Sequence, residues 1–429
     1  MIRMFEYGSV PNETLFIRSP LFTDVGPVVE EILRDVKENG DAALYRLTEK
    51  FDGAKLKSLR VSEEEIESAF SSVSAEYRAV LQLAHDNIAE YHRNQIRPGF
   101  VMTRPNGVVL GQKVTPIARV GLYVPNGTAA YPSSLLMNCV PAKLAGCGML
   151  VITTPPGPDG KIDPAILAAA KIAGVDRIYK IGGAQAVAAL AYGTESVPKV
   201  DKIVGPGNAY VAEAKRQVFG TVAIDTIAGP SEVLVLADGT ADPRLVAADM
   251  LAQAEHDVLS CSVLVTDSPA LAEAVQAEIE TQLATLERRE IARASIEGNG
   301  KIIVAADLRR GMEIANAVAP EHLEICVDNP FDYLDLVKNA GSVFLGKNCP
   351  EPLGDYLGGT NHTLPTTGTA RFGSPLSVDD FIKKIQFTYY PAEAFQALAP
   401  EIARFAYKEG LSGHARSALL RLEEKEEKA

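Results

Sequence analysis

Every histidine beyond residue 250 shares a polar cluster with a carboxylate: Glu255 and His256 in QAEH, Glu321 and His322 in APEHLE, Asp355 and His362 in GDYLGGTNHTLP, Glu409 and His414 in EGLSGHARS. Imidazole and carboxylate together suit a borderline divalent ion such as zinc, or acid–base work. Gln253 and His256 are three residues apart, a spacing that puts both on one face at the end of a helix. Two readings fit that pair: polar groups capping the last carbonyls, or an amide and an imidazole reaching one ion. Glu321 and His322 follow Pro320 and precede an apolar strand. Adjacent residues on extended chain point to opposite sides, so this pair could serve two different proton transfers. The segment from Pro352 to Ser374 is rich in glycine and proline. A loop of that length with no element of its own is usually functional or disordered, and Asp355 and His362 inside this one argue for functional. His85 and His92 differ: they sit among charges on an amphipathic helix and read as a solvated surface.

These residues need a scaffold, and hydrophobic periodicity supplies one. From about residue 148 the chain alternates between apolar strands (MLVITT, RIYKIGG, KVDKIVG, EVLVLAD, SVLVTD, KIIVAAD, HLEICVD, SVFLG) and helices. Continuous apolar strands separated by helices predict parallel sheets covered on both faces, with enough strands for two sheets. The turn-rich DTIAGPSE, residues 225–232, is the expected hinge between them. The helix leading into QAEH has Asp242 as N-cap and Pro243 at its first position, and a long helix is expected from about 269 to 293. The first 110 residues read as long amphipathic helices. After residue 373, DDFIKKIQFTYY and EIARFAYKEGLSGHARSALLR read as short helices without strands, a module too small to hold a core alone. The expected organisation is 1–115 as N-terminal helices and the start of the first α/β domain, 116–232 as an α/β domain, 233–373 as a return into the first, and 374–429 as the helical module.

The dinucleotide fingerprint GxGxxG is absent: GPGNAY has Tyr210 where the third glycine belongs. KIVGPGNAYVAEAKR is still a strand, a glycine turn and a helix whose first N–H groups can face a ligand, and YKIGGAQAVAAL repeats that design. Bulk properties narrow the field further. A chain of 429 residues is too long for one core, and 47% hydrophobic with 23% charged residues is ordinary globular composition. A net charge of −13 argues against nucleic-acid or acidic-membrane partners. No apolar run reaches the ~18 residues of a membrane span, and the start MIRMFEYGSVPNETLF lacks a signal-peptide core, so a cytoplasmic location is expected. Five cysteines at irregular spacing read as buried free thiols. Cys147 has no basic neighbour in sequence closer than Lys143 and is expected to be structural.

Long segments of this chain resemble the histidinol dehydrogenase family: IDTIAGPSEVLVLADGTADPRLVAADMLAQAEH, GGAQAVAALAYGTESVPKVDKIVGPGNAYVAEAKRQV, APEHLEI, GDYLGGTNHTLPTTGTAR and EGLSGHARS. The resemblance runs over nearly the whole chain and is weakest in the first 100 residues. It implies an α/β fold of two Rossmann-like parallel-sheet domains lacking GxGxxG, with N-terminal helices and a small C-terminal helical module. The implied activity is oxidation of L-histidinol to L-histidine with two NAD and a bound zinc. Carried over residue by residue, it implies zinc ligation by Gln253, His256, Asp355 and His414, and acid–base roles for Glu321 and His322. Ser231, Glu409, His322 and the zinc ligands would surround the substrate, with His362 nearby. Tyr123, Gln185 and Asn208 would hold the dinucleotide. The family also implies a homodimer whose C-terminal module completes the partner's site. The chemistry suits these residue types: His322, titrating near neutrality, would take the hydroxyl proton, and Glu321 would activate water for the second oxidation. The competing readings are a zinc- and NAD-dependent relative acting on another alcohol such as a sulfonated diol, a zinc hydrolase with Glu321 as base, and a non-catalytic binding protein.

Overall fold

In the computed structural model the described residues are 1–16, 25–126 and 130–423. They form two compact units, one of residues 1–96 and 117–381 and one of residues 97–116 and 382–429. The strands, in chain order, are β1 (Arg3–Glu6), β2 (Phe100–Thr103), β3 (Val109–Pro116), β4 (Arg119–Tyr123), β5 (Met149–Thr154), β6 (Arg177–Lys180), β7 (Lys202–Val204), β8 (Ala223–Ile224), β9 (Glu232–Ala237), β10 (Cys261–Thr266), β11 (Lys301–Val304), β12 (His322–Cys326), β13 (Ser342–Leu345) and β14 (Ile382–Tyr389).

The first unit holds two parallel sheets, in orders β6-β5-β4-β7-β8 and β1-β11-β10-β9-β12-β13. Their strands are nearly continuous apolar runs because helices cover both faces; β9, EVLVLA, is buried along its whole length. Each sheet therefore has a buried cluster on either side. The α/β alternation expected from the sequence is what forms, and residues 225–231 are the irregular connection between β8 of one sheet and β9 of the other. The helix Pro243–Ala254 starts as its sequence dictates, with Asp242 accepting a hydrogen bond from the Arg244 N–H at 2.9 Å and Pro243 at the first position.

Several expectations are corrected. The long helix from 269 divides into Pro269–Leu283 and Arg289–Gly298. Among the N-terminal helices, residues 3–6 form β1, which adds to β11 in parallel register. The segment 352–374 is not free of elements, since Glu351–Tyr356 is a short helix and Thr369–Arg371 a 3-10 turn. His92, expected on a solvated face, is fully buried. Leu81, Ala84 and Ile88 are buried on the same helix, and the His92 ring meets Gln95 Oε1 at 2.7 Å and Asn361 Nδ2 at 3.4 Å. The second unit is not purely helical: residues read as the helix DDFIKKIQFTYY supply β14, which pairs antiparallel with β3, itself paired with β2. Backbone partners far away in sequence override the local periodicity there. The helices Ala392–Lys408 and Ser412–Glu423 complete this unit. Its buried cluster is little more than Ala403, Ala406 and Ala415, while Phe100, Val101, Phe405 and Tyr407 are exposed.

One ion pair fixes the glycine turn after β7. Lys215 and Asp225 are paired with side chains only 2% and 3% exposed. Lys215 Nζ also donates to the Gly205 carbonyl at 3.0 Å, and Asp225 Oδ2 accepts from the Gly205 N–H at 2.8 Å. Gly205 has φ +114°, and a Cβ there would collide with the Tyr123 carbonyl oxygen, so only glycine fits. Removing one partner leaves the other charge buried and uncompensated. We expect Lys215→Ala to lower unfolding free energy by about 3–5 kcal/mol, measured by urea denaturation; an unchanged midpoint would show that the pair contributes nothing net.

Candidate active site

A cavity of about 500 Å³ opens at the amino ends of β9, β10 and β12, where Ser231, Ser260, Glu321 and His322 line it. Its far wall is the turn after β7, with Pro206, Gly207 and Asn208. His256, Glu351, Asp355 and His362 are also among its polar lining residues. Sequence segments that are distant along the chain thus meet in one place because β9 lies between β10 and β12.

The backbone N–H and carbonyl of Glu232 orient both acid–base candidates. Its N–H donates to Glu321 Oε2 at 2.9 Å, and its carbonyl lies 2.9 Å from His322 Nδ1. A carbonyl can only accept, so Nδ1 carries the proton and Nε2 presents a lone pair. That Nε2 is buried without a hydrogen-bond partner. Glu321 Oε2 comes within 3.8 Å of His322 Nδ1. Burial holds His322 at a pKa of about 4, against the near-neutral value expected from sequence, despite the opposing charge of Asp355 and the bond to Glu232. The ring is therefore neutral at physiological pH, with the Nε2 lone pair free to accept. Burial pushes Glu321 well above the ordinary carboxyl range, and the Glu232 N–H only partly offsets this.

Gln253 and His256 do not act as a conventional cap. The helix ends at Ala254 with Gln253 in its last turn, and His256 lies just beyond it. The Gln253 side chain is fully buried, and neither its amide oxygen nor its nitrogen has a hydrogen-bond partner. An orphaned buried amide is costly, and a cation at that point would satisfy its oxygen. Ligand atoms of His256, Glu351 and Asp355 all lie within 4.8 Å of one another. Burial lowers the pKa of His256, against the raising charges of Asp355 and Glu255, and so favours its neutral form. Burial alone would raise Asp355, but the hydrogen bond and charge of His362, with the charges of His322 and His256, hold it at about 2. Carboxylate, neutral imidazole and amide oxygen are a donor set that fits zinc. His362 also touches the Asp355 carbonyl through Nδ1 at 3.1 Å and Ser134 Oγ through Nε2 at 3.0 Å.

The remaining candidates divide. Asn208 caps the helix Ala209–Val218, accepting from the Tyr210 and Val211 N–H groups. Tyr123 is buried at the end of β4, its hydroxyl accepting from the Gly183 N–H at 3.1 Å and its pKa pushed up to about 12 by burial. Gln185 is buried in the helix Gly183–Tyr192 that follows β6. Glu409 and His414 belong to the other compact unit, where both are exposed. Cys147 is buried, donates weakly to the Phe381 carbonyl, and burial pushes its thiol up to about 11, in keeping with a structural thiol. Sequence reading missed Glu351, which is buried in the cavity wall with Oε2 unpartnered. The signal was its i, i+4 relation to Asp355, hidden while this stretch read as loop.

The family model described as histidinol dehydrogenase matches residues 19–422. The chain belongs to the histidinol dehydrogenase family. It is 50% identical over 426 residues to a histidinol dehydrogenase of Clostridium acetobutylicum, covering 98% of this chain and 99% of that one. It is 54% identical over 398 residues to one of Streptococcus mutans, covering 93% of each. Its structure is similar to a crystal structure of histidinol dehydrogenase from Elizabethkingia anophelis, with a TM-score of 0.94, 40% identity and 99% and 98% coverage of the two chains. Coverage this complete means that histidinol dehydrogenase relatives match both compact units, including the unit that carries Glu409 and His414.

The depressed His322 pKa makes stability depend on pH. The unfolded imidazole takes a proton near 6.5 and the folded one near 4, so the folded state binds fewer protons between those values. The stabilisation is complete above pH 6.5 and lost as pH falls from there toward 4. We expect wild type to lose about 2–3 kcal/mol more unfolding free energy than His322→Gln between pH 7.5 and pH 4.5. Parallel pH profiles for the two proteins would contradict a buried neutral imidazole.

Proposed function

We propose that this chain oxidises L-histidinol to L-histidine through an aldehyde, using two NAD, as a zinc-containing histidinol dehydrogenase of histidine biosynthesis. The observation that carries this reading is the buried, unpartnered Nε2 of His322, presented to a cavity that also holds His256 and Asp355. His322 takes the substrate's hydroxyl proton on Nε2 in each oxidation while the Glu232 carbonyl holds the ring. Glu321, restrained by the Glu232 N–H, takes a proton from the water that adds to the aldehyde. NAD, when bound, accepts the hydride. A bound zinc would supply a positive charge that positions the substrate. Gln253, His256, Asp355 and His414 would hold that ion, and the orphaned Gln253 amide supports their fit. Tyr123, Gln185 and Asn208 would hold the dinucleotide, which assigns cofactor binding to 116–232 and metal and acid–base work to 233–373. Ser231, Glu409 and His362 would contact the substrate.

A homodimer is part of this reading. The second unit's small buried cluster and its exposed Phe100, Val101, Phe405 and Tyr407 support burial against a second copy. Glu409 and His414 on that unit would then serve the partner's site. No helix among the described residues is long and apolar enough to cross a membrane, and a biosynthetic dehydrogenase of this kind would work in the cytoplasm. The alternative of a sulfonated diol as substrate draws no support from the relatives matched.

Histidinol and NAD should yield two NADH per histidinol consumed, read by absorbance. Glu321→Gln should still carry out the first oxidation slowly and fail on the second, because only that step needs an activated water. A variant that loses the first step far more than the second would reverse the assigned roles. The shared site is tested by co-refolding His322→Ala with His414→Ala. Random mixing makes about half of all dimers hybrid, each with one intact site, so about a quarter of wild-type activity should return. A mixture as inactive as its parents, with hybrids verified by mass, would place His414 in its own subunit's site.

A further inference from the structure

Glu324 is fully buried, in the middle of β12, and the chemistry described above gives it no role. It sits on one element that carries a site residue, and its side chain reaches two others. It lies two residues beyond His322 on the same strand. Its Oε1 accepts a hydrogen bond of 2.7 Å from the Glu351 N–H, at the first residue of the helix that carries Asp355 one turn later. It is also hydrogen-bonded to the Asp249 carboxyl, which sits one turn before Gln253 on the helix Pro243–Ala254. Ligand-type atoms of Asp249, Glu324 and Cys326 lie within 4.8 Å of one another, with Cys326 Sγ 4.0 Å from Glu324 Oε2.

We infer that Glu324, joined to Asp249, is a positioning residue that clamps the helices bearing Gln253 and Asp355 to the strand bearing His322, and so sets the geometry of the metal site. Two hydrogen-bonded carboxyl groups must share a proton. Burial, which pushes Asp249 up to about 6 and Glu324 well above the usual carboxyl range, supplies one. An uncompensated buried carboxylate would be expensive; with the shared proton and the Glu351 N–H, this one is satisfied. The strut acts one layer behind the ligands, where outer hydrogen bonds fix ligand orientation. It touches neither substrate nor cofactor.

The inference rests on the reading that Gln253, His256 and Asp355 hold a divalent ion, and the test separates the two. Cobalt(II) affinity of the full-length protein is measured in competition with a chelator, and the visible spectrum of the cobalt form is recorded, for wild type and three variants. Glu324→Gln keeps an oxygen for the Glu351 N–H and gains a donor for Asp249, so affinity and spectrum should remain close to wild type. Glu324→Leu removes the acceptor and should weaken cobalt binding roughly 10- to 100-fold with an altered spectrum. Glu324→Asp shortens the reach by one methylene and should weaken binding in the same direction, which keeps the comparison decisive if the Leu variant does not fold. Equal affinity across Gln, Asp and Leu would overturn the strut. Gln as impaired as Asp would also overturn it, by showing that charge and not hydrogen-bond geometry matters. A wild-type protein that binds no cobalt would overturn the metal reading, and the strut with it.

Discussion

The backbone of one residue, Glu232 at the start of β9, is hydrogen-bonded on both sides of its Cα by the adjacent side chains of Glu321 and His322. Its N–H fixes the carboxyl of Glu321 and its carbonyl fixes the imidazole of His322, so the extended backbone at the start of β9 decides which oxygen and which nitrogen face the cavity. That arrangement exists only while β9 and β12 keep their register, with His322 opposite Val233. A slip of one residue would send every side chain of the strand to the other face. The apolar burial on both sides of β9 is therefore a condition for the chemistry as well as for stability, since it makes any other register costly.

The same burial sets the electrostatics. Glu321, Glu324 and Glu351 are all buried and pushed above the ordinary carboxyl range by desolvation, while His256 and His322 are pushed down. Asp355 departs from the pattern, because three surrounding imidazoles favour its ionised form. Neutral imidazoles and one stable carboxylate around an orphaned amide form a site with donors to spare and few protons to lose. Such a site is prepared for a cation and for accepting a substrate proton.

Much of the scaffold was legible in the sequence because its strands are short apolar runs bounded by glycine, and its helices begin with capping residues such as Asp242 ahead of Pro243. β14 was not legible: its residues are almost all exposed, and its partner β3 lies about 270 residues away, so local periodicity carried no information. His92 was misread although Leu81, Ala84, Ile88 and His92 already share one helical stripe; the flanking charges of Glu90 and Arg93 masked it. Within the site, residue types and spacing drew attention to QAEH, APEHLE and the Asp355–His362 segment, but left ligand and cap readings of Gln253 open. The family resemblance supplied the roles. Glu351, Asp249 and Glu324 stayed hidden because a carboxylate inside an apolar strand or helix has a function only through tertiary neighbours.

Whether the cavity is a metal-positioned proton-transfer site depends on where the ion sits. The direct measurement is anomalous diffraction at the zinc absorption edge from crystals of the full-length protein grown with zinc. One strong peak is expected, within about 2.0–2.2 Å of ligand atoms from His256 and Asp355 and in contact with the Gln253 amide oxygen. A peak at Asp249, Glu324 and Cys326, with none at His256 and Asp355, would contradict the account.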